Sequence, residues 1–149
     1  MFRFEIRAAC HKDIVGICKI IRRVMDTDIS DKRLEEIYTG IVEDINEIIM
    51  IAKHARVVAG YIRARRLKDF SRGYYAEISE IALLPYYQRR GGGTDLVYGV
   101  EKWGGQMLIP KIICNLQSDN EGAAALLKKC RFVETRPGAF EKTIFERKR

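Results

Sequence analysis

Three consecutive glycines, Gly91-Gly92-Gly93, stand between two segments of opposite periodicity, and this junction constrains the fold more than any other feature of the chain. Upstream, Tyr75 to Leu84 has strand character and stops at Pro85. Downstream, from Gly93 to Leu108, the apolar residues Leu96, Val100, Trp103 and Met107 recur at helical spacing. A strand that turns into a helix through residues without side chains lets successive backbone N–H groups converge on an oxyanion at the positive helix end. Arg89 and Arg90 place charge beside that cradle. No Gly-Lys-Ser/Thr follows, and three adjacent glycines do not fit the dinucleotide fingerprint, so neither a nucleoside triphosphate P-loop nor a Rossmann turn is indicated.

Strand and helix signals alternate around the junction. Residues 2–7 set Phe2, Phe4 and Ile6 on one face and Arg3, Glu5 and Arg7 on the other, as a half-buried strand does. Ile14, Ile17, Cys18, Ile21 and Val24 recur at helical spacing, with Asp13 at the end where a carboxylate is favoured. A second helix is expected from about Lys32, with Leu34, Ile37, Tyr38, Ile41 and Ile45 on one side. Residues 48–52 and 57–65 read as strands. Residues 65–73 break both periods and read as a hairpin loop. Pro110 bounds a short strand from Lys111 to Leu116. Ser118 and Glu121 then form a capping box for a last helix that buries Ala123, Leu126, Leu127 and Cys130. Residues 132–134 and 140–145 finish as two strands. A chain of 149 residues with no repeat is expected to make one domain, residues 1–149, since about 68% of the unfolded surface can be buried at this size.

Composition narrows the function classes. With 47% hydrophobic residues the chain is too apolar for a disordered polymer, and no run approaches the roughly 18 apolar residues of a membrane helix. The alternating N-terminus lacks a secretory apolar stretch, so a cytoplasmic protein with no membrane partner is expected. Cys10, Cys18, Cys114 and Cys130 form no C-x-x-C pair and have only His11 and His54 to complete a metal site. We therefore expect reduced thiols and no metal. Lys+Arg 27 against Asp+Glu 20 gives a net charge of +7, which suits nucleic acid, an anionic surface or a phosphorylated cofactor equally. Arg63, Arg65, Arg66, Lys68 and Arg72, with Tyr61, Phe70, Tyr74 and Tyr75, have the composition of a nucleic-acid surface. They equally describe a solvated hairpin, or a loop that receives a large or acidic substrate.

The segment Gln88-Arg89-Arg90-Gly91-Gly92-Gly93 resembles the acetyl-CoA signature Gln/Arg-x-x-Gly-x-Gly/Ala of the GNAT superfamily of N-acetyltransferases. Residues 76–87 are similar to that family's central strand, and Asn120, Ala123, Leu126, Lys129 and Phe132 echo a second block. Ile6-Arg7-Ala8 with Asp13-Ile14 is similar to its first strand and helix. The resemblance implies an α/β (α+β) fold: a mixed, centrally splayed sheet of about six to seven strands flanked by four helices, with acetyl-CoA as co-substrate in the split. By the same resemblance, backbone groups of Ile81, Ala82 and Leu83 hold the pantetheine arm. Gln88, Arg89, Arg90, Gly91, Gly92, Gly93 and Thr94 hold the pyrophosphate. Asn120 reaches the pantetheine region, although it also suits a local helix cap.

The implied activity is acetyl transfer by direct attack of an amine, on a small molecule or a protein, with an oxyanion held by a backbone N–H. A lysine amine, pKa about 10.4, needs a base more urgently than an α-amine near pKa 8. Glu77 aligns with the strand carboxylate that resembles the general base of histone-type members, and Glu80 is the alternate. Both also suit ion pairs with Arg63 or Arg65, and strand alternation sends their side chains to opposite faces.

Departures from the family pattern bear on the acid. Leu127 stands where a tyrosine often protonates the departing thiolate, Arg131 replaces a glycine, and Asn115 replaces a glutamate found in some members acting on protein N-termini. Tyr86, Tyr87 or a water would have to substitute, or the thiolate, with thiol pKa near 8.5, would leave unaided. The departures keep open a catalytically weak acyl-CoA-binding relative, with a basic nucleic-acid module as the more distant alternative. Exposed strand edges allow a homodimer.

Overall fold

The computed structural model describes residues 3–117 and 120–145. Seven strands form one sheet: β1 (Glu5–Ala8), β2 (Glu47–His54), β3 (Val57–Asp69), β4 (Gly73–Leu83), β5 (Lys111–Asn115), β6 (Val133–Arg136) and β7 (Ala139–Thr143). Their order is β1-β2-β3-β4-β5-β7-β6. Four helices flank it: α1 (Ile14–Val24), α2 (Asp31–Glu43), α3 (Gly92–Gln106) and α4 (Glu121–Lys129). The mixed sheet flanked by four helices is the architecture the sequence leads one to expect. No helix among the described residues is long and apolar enough to cross a membrane.

The sheet buries both faces, so its central strands carry apolar residues on each side. One face, with Ile62, Ala64, Ala76, Ile78 and Ile112, packs on Leu96, Val97, Val100 and Trp103 of α3 and Leu127 of α4. The other, with Ile49, Ile51, Tyr61 and Ala82, packs on Ile17 and Ile20 of α1 and Tyr38 and Ile41 of α2. Each large aliphatic side chain fully withdrawn from water, such as Ile20, Ile51 or Ile62, contributes about 1.5–3 kcal/mol. Arg7 clamps the start of α1 by two hydrogen bonds of 2.8 Å to the buried Asp13 carboxylate.

β4 and β5 run parallel, and every other strand pair is antiparallel. The parallel pairing holds for only Ala76↔Ile112 and Glu77↔Ile113. Past Glu77 the two strands part, and Ile78 to Leu83 continue with no strand beside them on that edge among the described residues. This is the central splay.

Three local expectations are corrected. Residues 65–73 are not a loop: β3 and β4 pair out to Asp69↔Gly73, leaving only Phe70, Ser71 and Arg72 in the turn. Hydropathy hides this because the basic residues are partnered across the hairpin. Arg65 meets Glu77 at 2.9 Å, and the guanidinia of Arg66 and Arg72 lie 4.2 Å from the ring centres of Tyr74 and Tyr75. Ile45 lies beyond the end of α2 and is exposed, because the helix stops at Glu43. The last helix is capped by Asn120, whose Oδ1 accepts from the Ala123 amide at 3.2 Å. The expected cap Ser118 lies outside the described residues.

Candidate functional site

The bend after β4 is built from alternating backbone conformations. Gln88 is extended, Arg89 has φ +60° and Gly91 has φ +89°, a sequence that turns amides inward as a nest does. Among the described residues no acceptor meets the backbone amides of Gly91, Gly92, Gly93 or Thr94, and the first amide of the helix to find one is Asp95, bonded to the Gly91 carbonyl at 3.1 Å. Bare donors at the positive end of a fifteen-residue helix are what an anionic ligand requires.

Each glycine is needed for a different reason. Gly91 has open space around it but a left-handed φ. A Cβ on Gly92 would lie 2.8 Å from Leu83 Cδ2, and one on Gly93 would lie 3.0 Å from Leu126 Cδ2. The backbone thus approaches β4 and α4 as closely as atoms permit. Around the bend lies a cavity of 380 Å³ lined by Leu83, Gln88, Arg89, Gly91, Gly93, Thr94, Gly122, Leu126 and Lys129. Its chemistry, bare amides flanked by Arg89 and Lys129, fits a diphosphate. Gln88 braces the wall, its Nε2 donating to the Leu83 carbonyl at 3.0 Å.

Other expected residues do not converge on this cradle. Arg90 folds away, with Nε donating to the Tyr86 carbonyl at 3.0 Å and its guanidinium 5.1 Å from the Tyr86 ring centre. Tyr87 packs among the rings of Phe4 and His54. Asn120 spends its Oδ1 on the helix cap. In the stretch of β4 that β5 leaves open on one edge, Ile81 and Leu83 pack toward the α3 side and Ala82 toward the α1 side. Leu127 is buried in the core beside α3.

The carboxylates sit differently from the alternation rule. Glu77 pairs with Arg65 and Glu80 with Arg63, two residues apart on β3, while Ile78 pairs with Ala64. Ser79 is therefore an extra residue, a β-bulge, and its Oγ donates to the Arg63 carbonyl at 3.3 Å. The bulge resets the parity and brings Glu77 and Glu80 to the same face of the sheet, which corrects the expectation of opposite faces.

On that face Glu77 accepts from Arg65 at 2.9 Å and from Asn115 Nδ2 at 3.4 Å. Glu80 accepts from the Tyr61 hydroxyl at 2.9 Å and from Arg63 at 3.1 Å. Arg63 also meets Glu47 at 2.9 Å. Burial opposes the Arg63 charge, but its bonds to Glu47 and Glu80 outweigh that and raise its pKa. Burial, then the Glu80 charge, pushes Tyr61 far above the usual phenol range, so it stays a donor.

Glu80 also lines a second cavity, of 220 Å³, between α1, α2 and the sheet. The other lining residues are almost all apolar, among them Ile21, Met25, Ile29, Ile37 and Ile41. Sequence reasoning missed this chamber and its Tyr61–Glu80–Arg63 floor, because the residues are scattered from position 17 to 80 and no spacing links them. Its walls come from α1, α2, the segment between them and the sheet, and residues 65–73 take no part in it.

A family model described as the acetyltransferase (GNAT) family matches residues 14–132. Among curated proteins no sequence matches this chain. Solved structures resemble it in fold. The aminoglycoside N-acetyltransferase AAC(6')-Iy in complex with CoA has TM-score 0.82 at 20% identity, covering 100% of this chain and 97% of that one. AAC(6')-Ih from Acinetobacter baumannii has TM-score 0.78 at 20% identity, covering 99% of each. NAA60 of Arabidopsis thaliana in complex with acetyl-CoA has TM-score 0.79 at 15% identity, covering 95% of this chain and 99% of that one.

Proposed function

The chain belongs to the acetyltransferase (GNAT) family, and we propose that within it this protein is an N-acetyltransferase that moves an acetyl group from acetyl-CoA to an amine. The observation that carries this reading is continuity: the unpaired edge of β4 runs directly into a bend whose four successive amides, Gly91 to Thr94, have no acceptor among the described residues.

When bound, acetyl-CoA supplies a thioester whose carbonyl carbon is open to a neutral amine. The chain's residues do the rest. The amides of Gly91 to Thr94, with Arg89 and Lys129 beside them, bind a diphosphate by directed donors and charge. Backbone groups of Ile81 to Leu83 on the open edge bind an extended amide-bearing arm as an added strand would. A β4 N–H on that edge stabilises developing oxyanion charge, an interaction worth about 2.7–4 kcal/mol where single donors have been removed.

Glu80 takes the amine proton. Both carboxylates are held by an arginine and a second donor, but Glu80 lines the acceptor chamber and Glu77 does not. A positioned base contributes about 10² to 10⁴ in rate. Tyr86, Tyr87 or a water serves the departing thiolate. A catalytically weak acyl-CoA-binding relative is the second reading, favoured by the burial of Leu127. Free thiol release on adding amines to protein and acetyl-CoA decides between them: amine-dependent release supports the transferase, and binding without release above background supports the relative.

A further inference from the structure

The chamber that Glu80 lines carries more information than the reaction class. Its wall is made of Ile21, Met25, Ile29, Ile37, Ile41 and Tyr61, and among the described residues its only ionisable side chains besides Cys18 and the two tyrosines are Arg63 and Glu80. These two are paired with each other at 3.1 Å, so there is no row of carboxylates for several ammonium groups. The neighbouring Glu47 and Glu77 are also bound by arginines, at 2.9 Å each. A polycation seated here would lose its hydration against apolar walls with Glu80 as the one carboxylate lining them, because Asp31 and Glu35 lie outside, in the adjoining cavity beyond Cys18.

A single amine on an apolar body suits the same space. A dry apolar cavity of about 150 Å³ accepts benzene, so 220 Å³ holds one ring with a short alkyl arm. The nitrogen end then meets the one polar corner, where Glu80 is oriented by Tyr61 and Arg63. The wall opposite is the α1–α2 connection. Arg22 fixes it by bonding the Ile29 carbonyl and meeting Asp31 at 2.8 Å, which holds Met25 and Ile29 over the chamber.

We infer that the acceptor is a primary monoamine bearing one apolar group about the size of an aromatic ring, with its nitrogen at Glu80 and its apolar group between α1 and α2. This rests on the transferase reading above, and the test separates the two.

Acetyl-CoA binding is measured first by calorimetry. Thiol release is then compared for phenethylamine, ethanolamine, spermine and kanamycin at equal concentration. Phenethylamine binding is also titrated without acetyl-CoA, to wild type and to Ile37→Trp, which fills the chamber from a partly exposed helix position. Expected are a kcat/KM for phenethylamine at least tenfold above the other three amines, and an affinity for it weakened at least tenfold by Ile37→Trp. If acetyl-CoA binds and the polycations or ethanolamine are acetylated as well as phenethylamine, or none is acetylated, the acceptor assignment is overturned. An affinity for phenethylamine that Ile37→Trp leaves unchanged overturns it too. Failure of acetyl-CoA to bind removes the transferase reading and the acceptor with it.

Discussion

Glu80 is held from two sides by residues of β3, accepting from Tyr61 at 2.9 Å and from Arg63 at 3.1 Å, and it reaches that position because Ser79 bulges from β4. If it takes the amine proton, Glu80→Gln lowers kcat/KM by about 10² or more and moves the acid limb of the pH–rate profile. Glu77→Gln, beside Arg65, lowers activity less and leaves the profile's shape unchanged. A pH series on both variants checks the assignment; the opposite ranking would transfer the role to Glu77.

Arg131 occupies a left-handed conformation, φ +71°, just past the Cys130 cap of α4, with its amide bonded to the Lys128 carbonyl at 3.0 Å and the Phe132 amide to the Leu127 carbonyl at 2.9 Å. This is the helix-ending geometry that favours glycine, which gives a physical reason for the glycine at that place in the family pattern. Arg131→Gly should stabilise the fold by about 1 kcal/mol, read as a higher urea midpoint with unchanged slope.

The Asp13 carboxyl is held well below the usual carboxylate range, first by its hydrogen bonds from Arg7 and then, against the opposing cost of burial, by the Cys10 amide. A depressed folded-state value means that its stabilisation is complete above the ordinary carboxylate pKa of about 3.9 and is lost as pH falls through the lower folded value. Asp13→Asn should cost about 3 kcal/mol at pH 7. The gap to wild type should close as pH drops below about 4, measured by urea unfolding across pH.

Cys114 is buried, and burial followed by the charge of Glu77 pushes its thiol up to about 11. It should not react with a thiol reagent at pH 7.5 in the folded protein and should react at once in urea. Mass mapping of the labelled cysteine reads the result.

Much of this fold is legible in the residues because local periodicity and tertiary packing agree. α1 spans Ile14–Val24, where its stripe says it should, and the strand to glycine bend to helix order is written in Tyr75 to Met107. Legibility fails where long-range pairing overrides local pattern. The outer hairpin hides behind basic residues that partner across strands, as Arg65 does with Glu77. The bulge at Ser79 is invisible because one extra residue leaves no compositional mark, yet it decides which way two carboxylates face. The cradle is legible because backbone chemistry needs glycine in sequence, whereas the chamber is not, because apolar walls use the residues that build any core.

The central claim is that the bend holds a diphosphate through backbone amides left bare by Gly91, Gly92 and Gly93. Titration calorimetry of acetyl-CoA into wild type and Gly92→Glu tests it, with urea midpoints showing that both are folded. Saturable binding by wild type that the variant loses is the predicted result, because the new side chain would press on Leu83 and Phe4 and push the amides of the bend out of place. Binding that survives unchanged in the folded variant would contradict it.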